Sequence, residues 1–240
     1  MNFSSAMVDS FKNVLTVCKQ VGIEVVVLVE NRVMGANGAR NLAIISDSGL
    51  NLADDVKIGI GRLNELEKRL GMFTEKLDIS CKLNEKSEVA LMSLSSGKMK
   101  AQFRCTSMTM LERKYPKTNE DAPQLVLALN KNEVASMTRA IKTYGSASVI
   151  VKINRNGSAQ LECADSSNDQ FVLDIEKAAS RVIEGDQAVL LTYNAANFCQ
   201  VLDLAAKDEN EISLVIGEYG SLTAQVKGFS IVMVPNMNEE

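Results

Sequence analysis

One pattern is written four times along the chain: an amphipathic helix followed by alternating strands that turn back on themselves. The last two copies show it most plainly. The segments that begin at Val149 and Ile212 both alternate apolar and polar residues and both turn at a Gly-Ser pair. Alternation with a period of two residues predicts strands with one buried face. A fourfold repeat of this kind indicates a supersecondary unit that buries its apolar face against its neighbours, so we predict an α+β fold.

Four segments have the apolar spacing that is typical of amphipathic helices. In the first of them Phe11, Val14 and Cys18 follow one another at intervals of three and four residues, and a serine precedes them as a candidate N-cap. Gly71 and Gly145 are expected to end the second and third helices. The predicted helical segments are residues 4–22, 61–73, 130–145 and 194–208.

Strands are predicted between and after these helices wherever apolar and polar residues alternate. They form hairpins behind each helix, and further strands join one unit to the next. The predicted strand segments are residues 23–46, 77–94, 98–108, 124–130, 149–165, 170–177, 187–194 and 212–228.

A connector divides the four units into two pairs. Residues 111–122, with Pro116 inside and Pro123 directly after, combine proline with a dense mix of charges. Proline interrupts regular elements, and the charges keep the segment in solvent. We therefore predict an N-terminal domain over residues 1–110 and a C-terminal domain over residues 123–240.

The residue types present argue against catalysis. The chain has no histidine, which removes the commonest general base and the commonest metal ligand. Its five cysteines form no CxxC pair, and four of them lie in apolar stretches where a reduced thiol acts as a small hydrophobe. No pair of carboxylates has the spacing of a metal site or of an acid and a base. We predict a protein that is not an enzyme and that has no metal and no cofactor.

The sequence also argues against a membrane partner. No apolar run reaches the roughly 18 residues that a membrane span requires. The first residues include polar side chains throughout, unlike a secretory signal. We expect the protein to stay in the cytoplasm.

In order and length these elements resemble the DNA sliding clamps, most closely the bacteriophage and proliferating-cell-nuclear-antigen type, in which three two-domain subunits form a ring. The resemblance rests on the four repeats, on the connector, and on the strand-to-helix passages "QLVLALNKNEVASMTRAI", "VKIGIGRLNELEKRL" and "VLLTYNAANFCQVL". It also rests on the closing "SIVMVPNMNEE".

This resemblance implies two similar clamp domains, each with two helices packed on antiparallel sheets, that close into a ring on oligomerisation. It implies a polymerase processivity factor that forms a homotrimer around duplex DNA without reading its sequence. The implied protein partners are a DNA polymerase and an ATP-dependent clamp loader. If the protein is viral, it would act in the host cell cytoplasm.

A clamp that slides should touch phosphates through scattered lysines and arginines, because such contacts are electrostatic and independent of sequence. The net charge of −4 requires a local basic patch rather than a uniformly basic surface. The first three predicted helices carry basic residues opposite their apolar face, whereas the fourth offers little beyond one lysine. The resemblance thus implies these DNA-facing residues: Lys12, Lys19, Arg62, Lys68, Arg69, Lys131, Arg139, Lys142 and Lys207.

Two further sites follow from the resemblance. The family holds its polymerase in a hydrophobic pocket beneath the connector and beside the last strand. The segments 98–108 and 170–177 are the candidate edge strands that would pair between subunits. The implied partner-binding pocket consists of Met34, Leu111, Tyr115, Val232 and Val234.

A different class of protein would share the hairpins. A non-catalytic structural or assembly protein, such as a virion component built from repeated antiparallel sheet units, fits the strand pattern equally well. It would not need basic faces on its helices, so those faces favour the clamp.

Overall fold

The computed structural model describes residues 1–53, 55–111, 123–154, 158–175, 178–180, 189–208 and 211–236. The chain divides into two compact units, Met1–Lys117 and Thr118–Glu240. Each unit repeats one order of elements: a short extended segment, a helix, a strand meander, a second helix and a second meander. The α+β fold that the sequence predicts is confirmed.

The first unit contains three helices and seven strands within the part of it that the structure describes. Its elements are α1 (Ser5–Gln20), β1 (Val25–Val29), β2 (Arg32–Ala36), β3 (Leu42–Asp47), β4 (Lys57–Ile60), α2 (Leu63–Leu70), β5 (Asp78–Leu83), β6 (Val89–Ser96), β7 (Met99–Arg104) and α3 (Met108–Leu111).

Two antiparallel sheets support the helices of this unit. One has the strand order β4-β1-β2-β3 and the other β5-β6-β7. The chain start joins the second sheet, because the Phe3 amide donates to the Ile79 carbonyl. Short turns connect β1 to β2, β2 to β3, β5 to β6 and β6 to β7, so the register of these pairs follows from the local sequence, whereas β4 pairs with β1 and not with β3.

The predicted apolar stripe of α1 is buried. Phe11, Val14 and Cys18 are fully inaccessible to solvent. The side chain of Ser4 accepts a hydrogen bond from the Met7 amide and so caps the helix. Because one face of the helix is held against the sheets, its opposite face is left to the polar residues.

The second unit repeats this arrangement. Its elements are β8 (Pro123–Asn130), α4 (Lys131–Tyr144), β9 (Ser148–Ile153), β10 (Ala159–Ala164), β11 (Gln170–Ile175), β12 (Ala178–Ser180), β13 (Val189–Asn194), α5 (Ala195–Asp208), β14 (Glu211–Gly217), β15 (Leu222–Val226) and β16 (Phe229–Met233).

The sheets of the second unit are also antiparallel. One has the order β11-β10-β9-β13 and the other β12-β8-β14-β15-β16. Asn130 and Glu133 form a reciprocal capping box at the start of α4, and Gly145 ends it in the left-handed conformation. Asn194 caps α5 by accepting from the Asn197 amide.

The four predicted helices are confirmed, and so are the strands around them, with three differences, of which one is the short strand β12, which lies in none of the predicted strand segments. The segment 23–46 forms three strands rather than one hairpin, because the turn after Ala36 returns the chain for β3. The short helix α3 was not anticipated, since four residues carry too little periodicity to predict one. The predicted connector 111–122 lies outside the described residues from 112 onward, so its structure stays a prediction. None of the described helices has the length and apolar character that a membrane span requires.

The two predicted pairing strands lie at sheet edges. Within the described residues, β7 ends the sheet β5-β6-β7 and β11 ends the sheet β11-β10-β9-β13. The exposed face of β7 carries Lys100, Gln102 and Arg104, and that of β11 carries Gln170, Val172 and Asp174; these mostly polar faces suit an edge that is exposed in the free chain.

The close approach of β4 to the segment after β7 gives a test of this fold. A Cβ on Gly59 would collide with the backbone oxygen of Thr106 and lie 2.9 Å from a methyl carbon of Leu111. We expect Gly59→Ala to lower the free energy of unfolding by about 1–3 kcal/mol, because backbone cannot yield as a side chain does. Urea unfolding measures the change.

The matched control is Gly71→Ala. Gly71 has ordinary helical dihedral angles and room for a methyl group. Its substitution is expected to be neutral or slightly stabilising. Equal effects of the two substitutions would show that the tight contact at Gly59 is absent.

Candidate nucleic-acid interface

The first group of predicted basic residues lies beside a groove between α1 and α2. The groove has a volume of about 460 Å³, with Leu15, Leu70 and Phe73 in its walls. Its rim carries the basic residues Lys12, Lys19 and Lys68, together with Thr16 and Glu67. Three of the predicted DNA contacts are therefore brought together on one surface of the first unit.

An ion pair crosses this groove. The Nζ of Lys19 lies 2.6 Å from Oε2 of Glu67, so a residue of α1 is tied to a residue of α2. More than half of the lysine side chain remains exposed. An exposed pair of this kind contributes little to stability, but the carboxylate weakens the positive potential that the lysine presents to an anion.

Arg62 and Arg69 lie elsewhere. Their spacing of seven residues does place them on one side of α2, where both guanidinium groups lie over the ring of Phe103, at 5.3 and 5.4 Å from its centre. Arg69 donates to the Gln102 carbonyl at 2.8 Å, and Arg62 donates to the Arg104 carbonyl at 3.2 Å. The structure thus places both arginines at the edge of β7 rather than in the groove.

Glu65 holds the two arginines in this position. Its Oε2 accepts from Arg62 at 2.9 Å and lies 3.8 Å from Arg69. The sequence alone shows the helical spacing of the three residues but not the strand that they reach. Tertiary packing of α2 beside β7 supplies that partner.

In the second unit the basic residues lie on α4 and α5, which pack against each other. Lys131 and Arg139 are exposed on α4. Lys142 forms an ion pair with Asp203 of α5 at 3.2 Å, while 64% of its side chain stays exposed. Lys207 is exposed in the last turn of α5, where a cation is favoured. Each unit therefore has a lysine of its first long helix paired with a carboxylate of its second.

The five residues of the predicted partner pocket fall into three groups. Leu111 is buried with Val27 and Met108, and Met34 packs against that cluster from β2. Val232 is half-buried on β16, and Val234 just after it is 41% exposed. Tyr115 lies outside the described residues. That these five residues form one pocket stays a prediction.

An apolar surface that the sequence analysis missed lies on the second unit near Val234. Tyr219, in the turn between β14 and β15, is 76% exposed, and Leu190 on β13 is 61% exposed. Gly220 packs close to the side chains of Leu191 and Pro235. The sequence did contain a signal for this surface, because an aromatic residue stands directly before the turn glycine, and side chains in turns are usually exposed. We call Tyr219, Leu191, Val234 and Pro235 the turn patch; Leu190 points to the opposite face of β13 from Leu191 and is not part of it.

The cysteine thiols are not activated as nucleophiles. Burial raises the pKa of Cys18 to about 12, and that of Cys105 likewise to about 12. It raises the pKa of Cys81 to about 11 and moves the pKa values of Cys163 and Cys199 upward as well. All five stay protonated near neutral pH, and a protonated thiol is a poor nucleophile. Among the described residues, no three His, Cys, Asp or Glu side chains group as a metal site.

Comparison with known proteins identifies the fold. The sequence matches no protein-family model, and no curated protein sequence matches it. The structure is similar to the PCNA2-PCNA3 complex of Sulfolobus tokodaii, with a TM-score of 0.62 and 14% identity over 98% of this chain and 99% of that one. It is also similar to the PCNA of A. fulgidus with the C-terminal region of FEN-1 bound, with a TM-score of 0.63 and 11% identity over 100% and 98% of the two chains.

A third similar structure is the DNA polymerase III subunit beta of Pseudomonas aeruginosa, with a TM-score of 0.66 and 10% identity. The match covers all of this chain but 66% of the bacterial one. The chain thus has the sliding-clamp fold over essentially its whole length, which confirms the resemblance drawn from the sequence.

Proposed function

We propose that this protein is a DNA sliding clamp, a processivity factor that encircles duplex DNA and tethers a polymerase to it. The observation that carries the proposal is the pair of helix surfaces with lysines and arginines on an otherwise acidic protein that has the clamp fold. Such residues attract phosphates without reading bases, which is what sliding requires. The chemistry is binding alone, with no catalysis by the clamp itself.

The proposed ring contains three copies, each made of two clamp domains joined by the connector predicted at 111–122. Among the strands that end a sheet in the described residues, each unit supplies one of the two candidates for pairing between copies, β7 in the first unit and β11 in the second. Pairing of β7 from one copy with β11 from the next is a head-to-tail contact, and such contacts close into a ring when the rotation permits. The proposed partners are an ATP-dependent clamp loader and a DNA polymerase in the cytoplasm, or in the host cytoplasm if the protein is viral.

The turn patch is the docking site that we propose for the polymerase. It joins Val234 of the predicted pocket to an exposed tyrosine and to the side chain of Leu191 on the same unit. Exposed aromatic residues dominate binding energy where a partner covers them. In a similar structure the C-terminal region of FEN-1 is bound to a PCNA, so one clamp of this fold binds the tail of another protein.

The alternative of a virion component receives no specific support. Its repeated sheet units would be present in either case. An assembly protein would not need lysines grouped on the outer faces of paired helices, whereas a clamp would use them to attract phosphates.

Retention on circular DNA tests the proposal. The protein is loaded onto a nicked plasmid with ATP and the clamp loader from the same source, and the plasmid is then cut once. A ring that encircles DNA is held on the circle by topology alone, so we expect it to remain there and to leave the linear ends within minutes. Protein that stays bound after linearisation would refute a sliding ring, as would a failure of the loader to place it on the circle.

The groove lysines give a second prediction. Lys12→Gln combined with Lys68→Gln removes two charges from the rim of the groove. We expect weaker binding to duplex DNA and a salt dependence whose slope falls by about 1 for each phosphate that the variant no longer neutralises. Fluorescence anisotropy across a salt series measures both.

Lys86→Gln is the matched control for charge. Lys86 is exposed in the turn between β5 and β6, away from the helices. It should leave the salt slope unchanged. The same decrease of slope in the control would mean that binding follows total charge and not the helix faces.

The turn patch gives a third prediction. Tyr219→Ala removes the most exposed aromatic side chain of the patch, and we expect the polymerase to bind about tenfold more weakly. Met72→Ala is the control, because Met72 is 63% exposed at the end of α2 and lies outside the patch. Binding is measured by surface plasmon resonance, and loading onto DNA should be unaffected. An unchanged affinity in the Tyr219 variant would place the docking site elsewhere.

A further inference from the structure

A polar pocket at one end of the second unit has no role in the function described so far. It has a volume of about 400 Å³ and opens where the C-terminal end of α4 meets the turn between β10 and β11. The polar residues around it are Ser146, Ser148, Glu162, Asp165, Ser166, Asn168 and Gln170.

Hydrogen bonds hold the walls of this pocket in place. The Ser146 hydroxyl donates to the Ser148 carbonyl at 2.7 Å and accepts from the Ala164 amide at 3.3 Å. Asp165 Oδ1 accepts from the amides of Ser167 and Asp169, which fixes the turn. The pocket is therefore formed before any ligand arrives, which reduces the entropy cost of binding.

Glu162 gives the pocket its charge. It projects from the middle of β10 and is half-buried. No hydrogen bond or ion pair to its carboxylate is made by any residue in the described ranges. Asp165 adds a second carboxylate to the same pocket. A half-buried carboxylate is stabilised by a cationic donor, so the pocket suits a guanidinium or an ammonium group.

The pocket lies at the beginning of the edge strand β11. In the register of β10 and β11, Glu162 is opposite Val172 and Ala164 is opposite Gln170. Gln170 is both the first residue of β11 and part of the pocket lining. A strand added antiparallel to β11 would therefore end over the pocket.

The edge of β7 carries the matching charge. Lys100 and Arg104 are exposed and lie on the same face of the strand. The carbonyls of Gln102 and Arg104 point off the sheet edge, because the arginines of α2 reach them there. Within the described part of the chain, the Arg104 guanidinium bonds to no other residue. Arg104 is also the last residue of its strand.

Antiparallel alignment of the two edges brings these features together. β7 and β11 have six residues each, and each pairs antiparallel with its neighbour in its own sheet. Laid side by side in this way, the end of β7 at Arg104 meets the start of β11 at Gln170. Lys100 then falls near Asp174 on the exposed face of β11.

We propose that the pocket receives the Arg104 guanidinium of a second copy of this chain and fixes the register in which the copies pair. The proposal rests on the proposed ring, of which it specifies one contact. Arginine suits the site because its planar fork can bond two carboxylate oxygens at once. When two copies pair, backbone amides of the neighbouring copy's β11 replace the guanidinium groups of Arg62 and Arg69 as donors to the β7 carbonyls.

Charge reversal on each side tests the contact. Glu162→Lys and Arg104→Glu are made singly and together, and self-association is measured by sedimentation equilibrium. Each single variant should raise the dissociation constant about tenfold, because it sets two like charges against each other. The double variant exchanges the charges in every interface and should restore association to within a few-fold of the original.

The matched control is Asp169→Lys. Asp169 lies in the same turn and has the same charge, but it does not line the pocket. It should change self-association less than Glu162→Lys does. Glu162→Gln serves as a milder second variant, with an intermediate effect, and thermal unfolding of each variant confirms that it is folded.

Each possible result of these measurements either supports or overturns the proposed Arg104 contact. Unchanged association in both single variants, or a double variant no better than the singles, would overturn the proposal. So would a chain that remains monomeric at all concentrations, because the pocket would then have no occupant. If the double variant restores self-association but the protein is not retained on circular DNA, the pocket contact is supported and the clamp function is refuted. If the protein is retained on circular DNA but the variants do not change its self-association, the clamp function is supported and the pocket contact is refuted.

Discussion

Burial of one face of each long helix is the interaction on which the rest of the structure depends. Phe11, Val14 and Cys18 on α1 are fully buried, and so are Phe198, Val201 and Leu202 on α5. The burial of such side chains contributes roughly 1.5–3 kcal/mol each. Once that face is fixed against the sheets, the polar residues have to occupy the opposite face, and the lysines are presented there in groups.

Under the proposed function, the same arrangement would let an acidic protein attract DNA without holding it tightly. The positive charge is confined to a few helical positions, and in each unit one lysine is shared with a carboxylate of the neighbouring helix, Lys19 with Glu67 and Lys142 with Asp203. In the proposed clamp, phosphates would therefore meet a weaker positive potential than the unpaired lysines would give. A clamp that relies on enclosure needs no more than this, because topology and not affinity retains it.

The helices and most strands could be predicted because their information is local. Apolar residues at intervals of three and four, a serine or asparagine cap and a terminal glycine define α1 and α4 within their own sequence. The short helix α3 could not be predicted, since four residues fix too few contacts. Its position depends on the cluster of Val27, Met108 and Leu111, which joins distant segments.

The candidate site could be predicted only in part, for the same reason. Helical spacing predicted that Arg62 and Arg69 share one side of α2, but it could not show that they turn toward the carbonyls of β7 or that Lys68 faces the groove instead. The exposure of Tyr219 depends on how the turn after β14 is oriented, and the pocket around Glu162 depends on three separate segments. Such features follow from tertiary packing, which no local pattern records.

Cryo-electron microscopy of the protein loaded on a nicked circular duplex tests the proposed clamp function most directly. We expect a closed ring of three copies with α1, α2, α4 and α5 facing the duplex and with Lys12, Lys68, Lys131 and Arg139 nearest to its phosphates. A particle in which the strands face the DNA, or in which the duplex is not enclosed, would contradict a sliding clamp.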